Sequence, residues 1–168
     1  MQDVTARNAL LESQNRVLSM ALIHQKLYQD EQIDKVEFAT FADELFGQLK
    51  GVFGQNANVL FNNEMNETFL GINTAIPLGL ILNELITNSL KYAFDQVATP
   101  FIKITFEESG EWSILTYTDN GPGLPADVDL NQVTTMGLRL VSRLSKQLKG
   151  SADYRTDELS SFIIKFAH

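Results

Sequence analysis

The sequence predicts an α+β protein: a two-layer sandwich in which helices cover one face of a mostly antiparallel sheet, preceded by a long N-terminal helix. Apolar residues recur at helical spacing over residues 4–29 and again over residues 37–54. Two β-like runs, residues 101–109 and 112–119, are separated by two residues that include a glycine, which is typical of a hairpin. Helices and strands are mixed without strict alternation, which favours α+β over a parallel α/β fold.

The first helix carries an apolar seam along one side. Its members recur at spacings of 7, 4, 3 and 4 residues, as at the a and d positions of a coiled coil, and they are Leu10, Val17, Ala21, His24 and Tyr28. Leu11, Leu18 and Leu22 widen this face. A single helix cannot bury such a face by itself, so we expect it to pack against the rest of the chain or against another subunit.

Local signals predict the remaining elements. Residues 57–65 favour a strand, and Thr74 with Pro77 predicts the start of the helix that contains residues 80–94. After the hairpin we expect a helix closed by Gly150 and then two strands, at residues 137–150, 151–156 and 161–167.

Composition restricts the classes of function. A chain of 168 residues with 44% hydrophobic content can bury a core, and the absence of cysteine excludes disulfides and thiolate zinc sites. The formal net charge of -8 and the pI near 4.7 argue against nucleic acid as a partner. No apolar run is long enough to span a bilayer and the N-terminus lacks the apolar core of a signal peptide, so we expect a cytoplasmic protein segment without membrane contact.

The stretch LILNELITNSLKYAF, residues 80–94, is predicted to be helical, yet it contains several short polar residues that have low helix propensity. At 100° per residue, Glu84, Thr87, Asn88, Lys91 and Asp95 fall within an arc of about 100°. A solvated helix face is one interpretation of this stripe. The other is a ligand site, because a carboxylate and an amide oxygen four residues apart could bind Mg²⁺ and a lysine could meet a phosphate.

A second signal is DNGPG, residues 119–123, at the end of a predicted strand. All of these residues form turns readily, so a plain turn is one interpretation. Glycines also let backbone approach a flat ligand closely, and Asp119 could accept a hydrogen bond from an exocyclic amino group such as that of adenine.

A third signal is TTMGLRLV, residues 134–141, where two hydroxyls and a glycine precede a helix. Capping of that helix by Thr134 or Thr135 is one interpretation. Free N–H groups and the helix dipole also make such an N-terminus a seat for phosphate.

In this order, the three motifs resemble the N, G1 and G2 boxes of the ATP-binding catalytic domain of sensor histidine kinases. The resemblance covers residues 38–166 and implies the Bergerat-type fold shared with type II topoisomerases, the Hsp90 chaperones and the MutL mismatch-repair proteins. It implies ATP and Mg²⁺ as cofactors, Asn88 as the Mg²⁺ ligand, Glu84 as the catalytic acidic residue and Asp119 as the reader of adenine. The other residues that it implies in the nucleotide site are Lys91, Tyr92, Gly121, Gly123, Thr135, Gly137 and Leu138.

The amino-acid sequence is similar to that of histidine kinases with the second type of dimerisation and phosphoacceptor region, close to the HWE kinases. The resemblance implies that residues 1–33 are the remnant of that region, with residues 9–29 as its second helix, and that residues 34–168 are the catalytic domain. The HHRVKNN-type motif of the acceptor helix is absent. We interpret His24 as structural and expect His168 to be disordered, so we expect that the fragment cannot autophosphorylate by itself.

Two smaller departures concern the surroundings of the nucleotide. Only 13 residues separate Gly123 from Gly137 and none is a phenylalanine, which predicts a short lid. Ser160 in LSSF stands where the family often has a threonine.

The resemblance implies phosphoryl transfer from ATP to a histidine, relay to the receiver domain of a response regulator, and a homodimer in the full-length protein, which could be a larger sensor. Two alternatives remain open on the same fold. One is a non-catalytic adaptor or phosphotransfer docking domain, and the other is a protein serine kinase or an ATPase.

Overall fold

The computed structural model describes residues 2–29, 34–53, 58–125 and 127–167, with the side chains of residues 2 and 27–29 excepted. The predictions made for Tyr28, Gly54, His168 and the boundary after residue 33 fall outside the described parts. The helices are α1 (Gln2–Gln29), α2 (Phe38–Phe53), α3 (Ile72–Asn88) and α4 (Met136–Gln147), and α3 continues as a π-helical turn, Ser89–Ala93. The strands are β1 (Lys35–Glu37), β2 (Leu60–Asn63), β3 (Phe69–Gly71), β4 (Phe101–Ser109), β5 (Trp112–Asp119), β6 (Ser151–Thr156) and β7 (Ser160–Ala167).

A five-stranded sheet in the order β2-β4-β5-β7-β6 forms one layer of the sandwich. Only the pairing of β2 with β4 is parallel, and the other three pairings are antiparallel. The β4–β5 hairpin has the predicted bounds, and Gly110 in its turn adopts a positive φ of 62°. The predicted α+β class and the mostly antiparallel sheet are therefore confirmed.

The helices cover one face of this sheet. Along β4, β5 and β7 alternate side chains are buried, among them Ile102, Ile104, Leu115, Ile164 and Phe166, whereas the intervening residues are partly exposed. The apolar sides of α2, α3 and α4 meet the buried face and form the core, in which Leu45, Ile81, Leu85 and Val141 have almost no exposed surface.

A second, two-stranded sheet was not predicted. β1 and β3 pair antiparallel, and Glu37 at the end of β1 accepts N–H groups of Ala39, Thr40 and Thr68 with its carboxylate. These hydrogen bonds hold the pKa of Glu37 below its ordinary value, although partial burial opposes the shift. Helix α2 consequently begins at Phe38 and not at Glu37, because the glutamate serves as a cap.

Helix α3 begins at Ile72, two residues before the predicted start at Thr74. Gly71 is its N-cap, without a side-chain hydrogen bond, and Pro77 lies inside the helix. A proline at this position cannot donate to the carbonyl of Asn73, four residues earlier, and Asn73 is an exposed residue.

The end of α4 also differs from the prediction. The helix ends at Gln147, and the residue with positive φ is Lys149, not Gly150. The N–H groups of Lys149 and Gly150 bond to the carbonyls of Lys146 and Ser145, which is the pattern of a Schellman motif. Gly150 is required for a different reason, since a Cβ at this position would overlap the carbonyl oxygen of Lys165 on β7.

Helix α1 lies antiparallel on α3 and buries a different side from the predicted seam. Ile23 packs next to Gly79, while Ser19 donates to the side-chain oxygen of Asn83 at 2.7 Å. On the seam, Leu10 and Val17 are 61% and 64% exposed, and Ala21 and His24 are exposed as well. The apolar seam therefore remains uncovered in the described structure. None of the helices in the described ranges has the length and apolar character needed to span a bilayer.

Candidate functional site

A cavity of about 350 Å³ opens between α3, the start of α4, the loop after β5 and the strand β7. The three sequence motifs meet in this cavity although they lie far apart in the chain. The predicted site residues that line it are Glu84, Asn88, Tyr92, Asp119, Gly123, Thr135, Gly137 and Leu138. Lys91 and Gly121 are the exceptions.

Asp119 forms the buried polar end of the cavity. Its two oxygens accept hydrogen bonds from Ser89 Oγ at 2.6 Å and from the N–H of Gly121 at 2.9 Å. Burial raises the pKa of Asp119 above its ordinary value, while these two hydrogen bonds oppose the rise. Gly121 thus supports the aspartate without lining the cavity itself, and its own close contact is with Ala93, which does line the cavity.

Ser89 and Tyr117 fix the orientation of this aspartate. Their hydroxyls lie 2.7 Å apart, and Tyr117 also donates to the carbonyl of Leu85 at 3.2 Å. Complete burial raises the pKa of Tyr117 well above its ordinary value, so its hydroxyl keeps its proton. Asp119 is therefore held by a network of neutral donors.

The π-helical turn lies next to this network. A π turn places one extra residue in the helix and is often found at functional sites. Ser89 opens the turn and faces Asp119, Lys91 faces α1, and the exposed Tyr92 lies at the mouth of the cavity. The π-helical turn therefore directs Ser89, Lys91 and Tyr92 to three different places: the buried aspartate, helix α1 and the mouth of the cavity.

Glu84, Thr87 and Asn88 line the wall formed by α3. Glu84 and Thr87 are buried and Asn88 is half-buried, so the solvated-face interpretation of this stripe is wrong for these three residues. Asp95, by contrast, lies beyond the helix and is exposed. The Thr87 hydroxyl is buried without a hydrogen-bond partner in the described structure, although it borders the cavity. Such a group is normally satisfied, so a water or a ligand is a candidate partner for this hydroxyl.

The start of α4 closes the opposite side. Thr135 is the N-cap residue, but its side chain makes no capping hydrogen bond, so side-chain capping does not account for this motif. A Cβ on Gly137 would lie 2.7 Å from Glu84 Oε2, which shows how closely the helix start approaches the carboxylate. The positive end of the α4 dipole therefore faces this wall of the cavity.

Tyr154 on β6, which sequence reasoning missed, anchors the glycine-rich loop. Its hydroxyl accepts the N–H of Leu124 at 2.6 Å and lies 3.1 Å from Ser160 Oγ. Gly123 adopts a φ of +74°, and a Cβ there would lie 2.5 Å from the same hydroxyl. The loop, the sheet and the cavity lining at Ser160 are joined at one oxygen.

We expect Tyr154→Phe to weaken ligand binding by a few fold and to lower the free energy of unfolding by about 1 kcal/mol. The ring still packs on Phe162, but the Leu124 N–H loses its acceptor and the loop loses its tether. Chemical denaturation and ligand titration measure the two effects. Tyr154→Leu removes the ring as well as the hydroxyl, so a binding loss that appears in Tyr154→Leu but not in Tyr154→Phe would contradict a role for the tether.

Two cationic side chains near the cavity form ion pairs between α1 and the helix formed by α3 and its π-helical turn. Lys91 Nζ lies 2.6 Å from Glu12 Oε1, and Arg16 bonds to both oxygens of Glu84 at 2.5 and 3.0 Å. Although burial opposes the shift, the contact with Glu12 raises the pKa of Lys91, and the hydrogen bond to Glu84 raises that of Arg16. In this arrangement Lys91 does not line the cavity, whereas Glu12 does.

Sequence reasoning missed Glu12, Arg16, Ser89, Tyr117 and Tyr154. Only Ser89 carried a local signal, since a serine in the middle of an apolar helix face suggests a buried partner. The roles of the other four arise from contacts between elements that are distant in the chain, and no sequence motif predicts such contacts.

The fold and the cavity define a helix-on-sheet domain with room for a small molecule beside a buried carboxylate. A family model described as histidine kinase-, DNA gyrase B-, and HSP90-like ATPase matches residues 73–167, and one described as histidine kinase matches residues 1–53. The chain therefore belongs to the family of histidine kinase-, DNA gyrase B- and HSP90-like ATPases. The resemblance inferred from the three motifs is confirmed.

Among curated relatives, the sensor histidine kinase PdtaS of Mycobacterium tuberculosis is 31% identical over 153 residues, which cover 89% of this chain and 30% of the relative. Blue-light-activated histidine kinase 2 of Erythrobacter litoralis is 27% identical over 74% of this chain and 38% of its own length. The chain thus spans about a third of the relatives it matches.

A solved structure shares the fold. The histidine kinase domain of the EL346 blue-light activated histidine kinase from Erythrobacter litoralis superposes with a TM-score of 0.79, at 21% identity, over 93% of this chain and 74% of that one.

Proposed function

We propose that this chain is the ATP-binding catalytic part of a sensor histidine kinase, which transfers the γ-phosphoryl group of ATP to a histidine for relay to a response regulator. The observation that carries the proposal is the position of Asp119, buried in a cavity opposite Asn88 and the uncapped start of α4. An adenine amino group could donate to the carboxylate while phosphates occupy the helix N-terminus. Membership of the ATPase family supports this assignment.

The cavity fits a nucleotide in size and in chemistry. Its volume of about 350 Å³ is within the range of ligand pockets, and Leu85, Leu138 and Phe162 supply apolar walls beside the polar end at Asp119. The unpartnered hydroxyl of Thr87 offers a further bond to a ligand. We assign the adenine to the Asp119 end and the phosphates to the wall formed by Glu84, Asn88 and the start of α4.

Mg²⁺ would be held by Asn88 together with phosphate oxygens and water. The described residues contain no cluster of three or more acidic or histidine side chains that could hold a metal alone. Mg²⁺ commonly takes one or two protein oxygens and completes its shell with water and phosphate, so a single amide fits this donor set. The ion would supply charge neutralisation at the transferred phosphate.

In this proposal the protein contributes positioning and charge more than covalent chemistry. Asp119 fixes the base, the N–H groups after Thr135 hold phosphate oxygens, and Glu84 orients or deprotonates the nucleophilic histidine. Residues 34–168 form the catalytic domain in this assignment, and residues 1–33 belong to a dimerisation region. A full-length homodimer in the cytoplasm and a receiver domain as partner complete the proposal.

Titration calorimetry with ADP and a non-hydrolysable ATP analogue, with and without Mg²⁺, tests the nucleotide site. We expect Mg²⁺-dependent binding, and we expect Asn88→Ala to lose at least about tenfold in affinity when Mg²⁺ is present, with little change in its absence. Asn62→Ala, at an exposed position on β2, is the matched control. Failure of the folded wild-type chain to bind either nucleotide would favour the non-catalytic adaptor.

A protein serine kinase or a plain ATPase is the other candidate on this fold. The match of residues 1–53 to a histidine kinase family favours the histidine kinase. Labelling the full-length protein with ATP distinguishes them, because phosphohistidine is labile in acid whereas phosphoserine is stable.

A further inference from the structure

We propose that Arg16 on α1 is a positioning residue of the phosphoryl-transfer site: its guanidinium aims the Glu84 carboxylate and cancels its charge towards the incoming phosphates. The inference rests on the proposed function, because it assigns the phosphates to the wall that contains Glu84. It makes the N-terminal helix a part of the nucleotide site.

The Arg16–Glu84 contact has the geometry of a specific, oriented pair. Nε and Nη2 of the arginine each donate to a separate carboxylate oxygen, at 2.5 and 3.0 Å, and this two-pronged arrangement fixes the plane of the carboxylate. The two side chains are only 14% and 6% exposed. Removing one partner from such a pair leaves an uncompensated buried charge.

The residues around the pair hold α1 and the Glu84 carboxylate in fixed relative positions. Ser19, one turn along α1, donates to Asn83, and the Asn83 amide in turn reaches Glu84 Oε1 at 3.4 Å. On the other side, the backbone of Gly137 lies against Glu84 Oε2. The carboxylate is therefore enclosed by α1, α3 and α4 together, and Arg16 supplies its only cationic contact in the described structure.

The charges of the cavity explain why this cation matters. The charged side chains that line it are the carboxylates of Glu12, Glu84 and Asp119, and within the described ranges no lysine or arginine joins them. These carboxylates would repel phosphates unless cationic side chains outside the cavity lining neutralise them. Lys91 cancels Glu12 and Arg16 cancels Glu84, and both pairs cross between α1 and the helix formed by α3 and its π-helical turn.

The test is a binding cycle with Arg16→Gln, Glu84→Gln and the double variant, using Mg²⁺ with a non-hydrolysable ATP analogue, and adenosine as a probe without phosphates. We expect Arg16→Gln to lower affinity for the analogue at least about tenfold while adenosine binding changes little. The double variant should bind the analogue as well as Glu84→Gln does, because no unpaired carboxylate remains. Arg16→Lys should retain most of the affinity by keeping the charge.

Lys26→Gln is the matched control. Lys26 also ties α1 to the domain, through Glu44 on α2 at 2.5 Å, but it lies away from the cavity. Hydrogen exchange of α1 measures helix docking in every variant. Equal losses of analogue and adenosine affinity in Arg16→Gln, a double variant as weak as Arg16→Gln, or the same binding loss in Lys26→Gln would each overturn the inference.

The cycle also separates this inference from the proposed function. A wild-type chain that binds neither probe contradicts the nucleotide site itself, and the inference falls with it. A wild-type chain that binds both probes, with an analogue affinity indifferent to Arg16, contradicts the inference alone. If Arg16→Gln fails to fold, the double variant, which buries no net charge, and Arg16→Lys still give the comparison.

Discussion

Asp119→Asn is expected to lower the affinity for adenine nucleotides about 100-fold without lowering the stability of the fold. The asparagine keeps one oxygen for the Gly121 N–H, and its amide can donate to the Ser89 hydroxyl, which then donates to Tyr117. The local network is thereby preserved. The adenine amino group, however, would meet an amide donor where the carboxylate offers a charged acceptor.

The same variant should change how stability depends on pH. Because burial raises the pKa of Asp119, the folded protein binds this proton more tightly than the unfolded chain does. Its contribution to stability is fully present below the ordinary pKa of aspartate and is lost as pH rises through the raised pKa of the folded state. Asparagine does not titrate, so the variant does not lose this contribution. The stability of Asp119→Asn relative to the wild type should therefore increase with rising pH.

Denaturant unfolding between acidic and neutral pH, combined with calorimetric titration of ADP, measures both expectations. Asp127→Asn, an exposed neighbour in the loop, is the control for a change of net charge. Normal ADP affinity in Asp119→Asn would contradict the assignment of the adenine to this end of the cavity. A constant stability difference across the pH range would contradict the role of burial.

Gly150→Ala should lower the free energy of unfolding by about 3 kcal/mol, a large effect for the addition of one methyl group. The added Cβ would overlap the Lys165 carbonyl oxygen and lie 2.8 Å from the Cα of Phe166. These are backbone atoms of β7, which pairs with β5 on one side and β6 on the other and therefore cannot shift without breaking ladder hydrogen bonds.

Gly47→Ala provides the opposite expectation in the same assay. Gly47 is exposed within α2, and no atom lies within 4 Å of an added Cβ, so alanine should stabilise the helix by about 0.5–1 kcal/mol. Urea denaturation of both variants gives the comparison. A Gly150→Ala protein as stable as the wild type would mean that α4 and β7 separate more easily than their contact indicates.

Much of the fold could be predicted because its signals are local. The β4–β5 hairpin follows from two β-rich runs around Gly110, and the three motifs each mark an element end where backbone meets the cavity. The start of α3 could not be placed, because Thr74 and Pro77 have the residue types of a helix start although the chain is already helical there. The three-residue strands β1 and β3 depend on each other and carry no periodic pattern.

The parts of the site that escaped prediction depend on tertiary contact. Arg16 and Glu84 are 68 residues apart, and nothing near either residue specifies the other. The seam on α1 suggested which side of the helix would need a partner, but the side that docks on α3 carries Asn15 and Ser19 among its buried residues. Polar residues buried between helices cannot be told from a solvated face by periodicity alone.

The pairings within the five-stranded sheet differ in how early they can form. The hairpins β4–β5 and β6–β7 join strands that are neighbours in the chain, whereas β2 meets β4, and β5 meets β7, only after connections of about 40 residues are closed. Distant pairings are slow to form, so the two hairpins should lead folding, and the joining of the full sheet and its packing against α3 and α4 should follow. The cavity lies between these helices and strands of both hairpins and would be completed late, so a bound nucleotide would act chiefly by slowing unfolding.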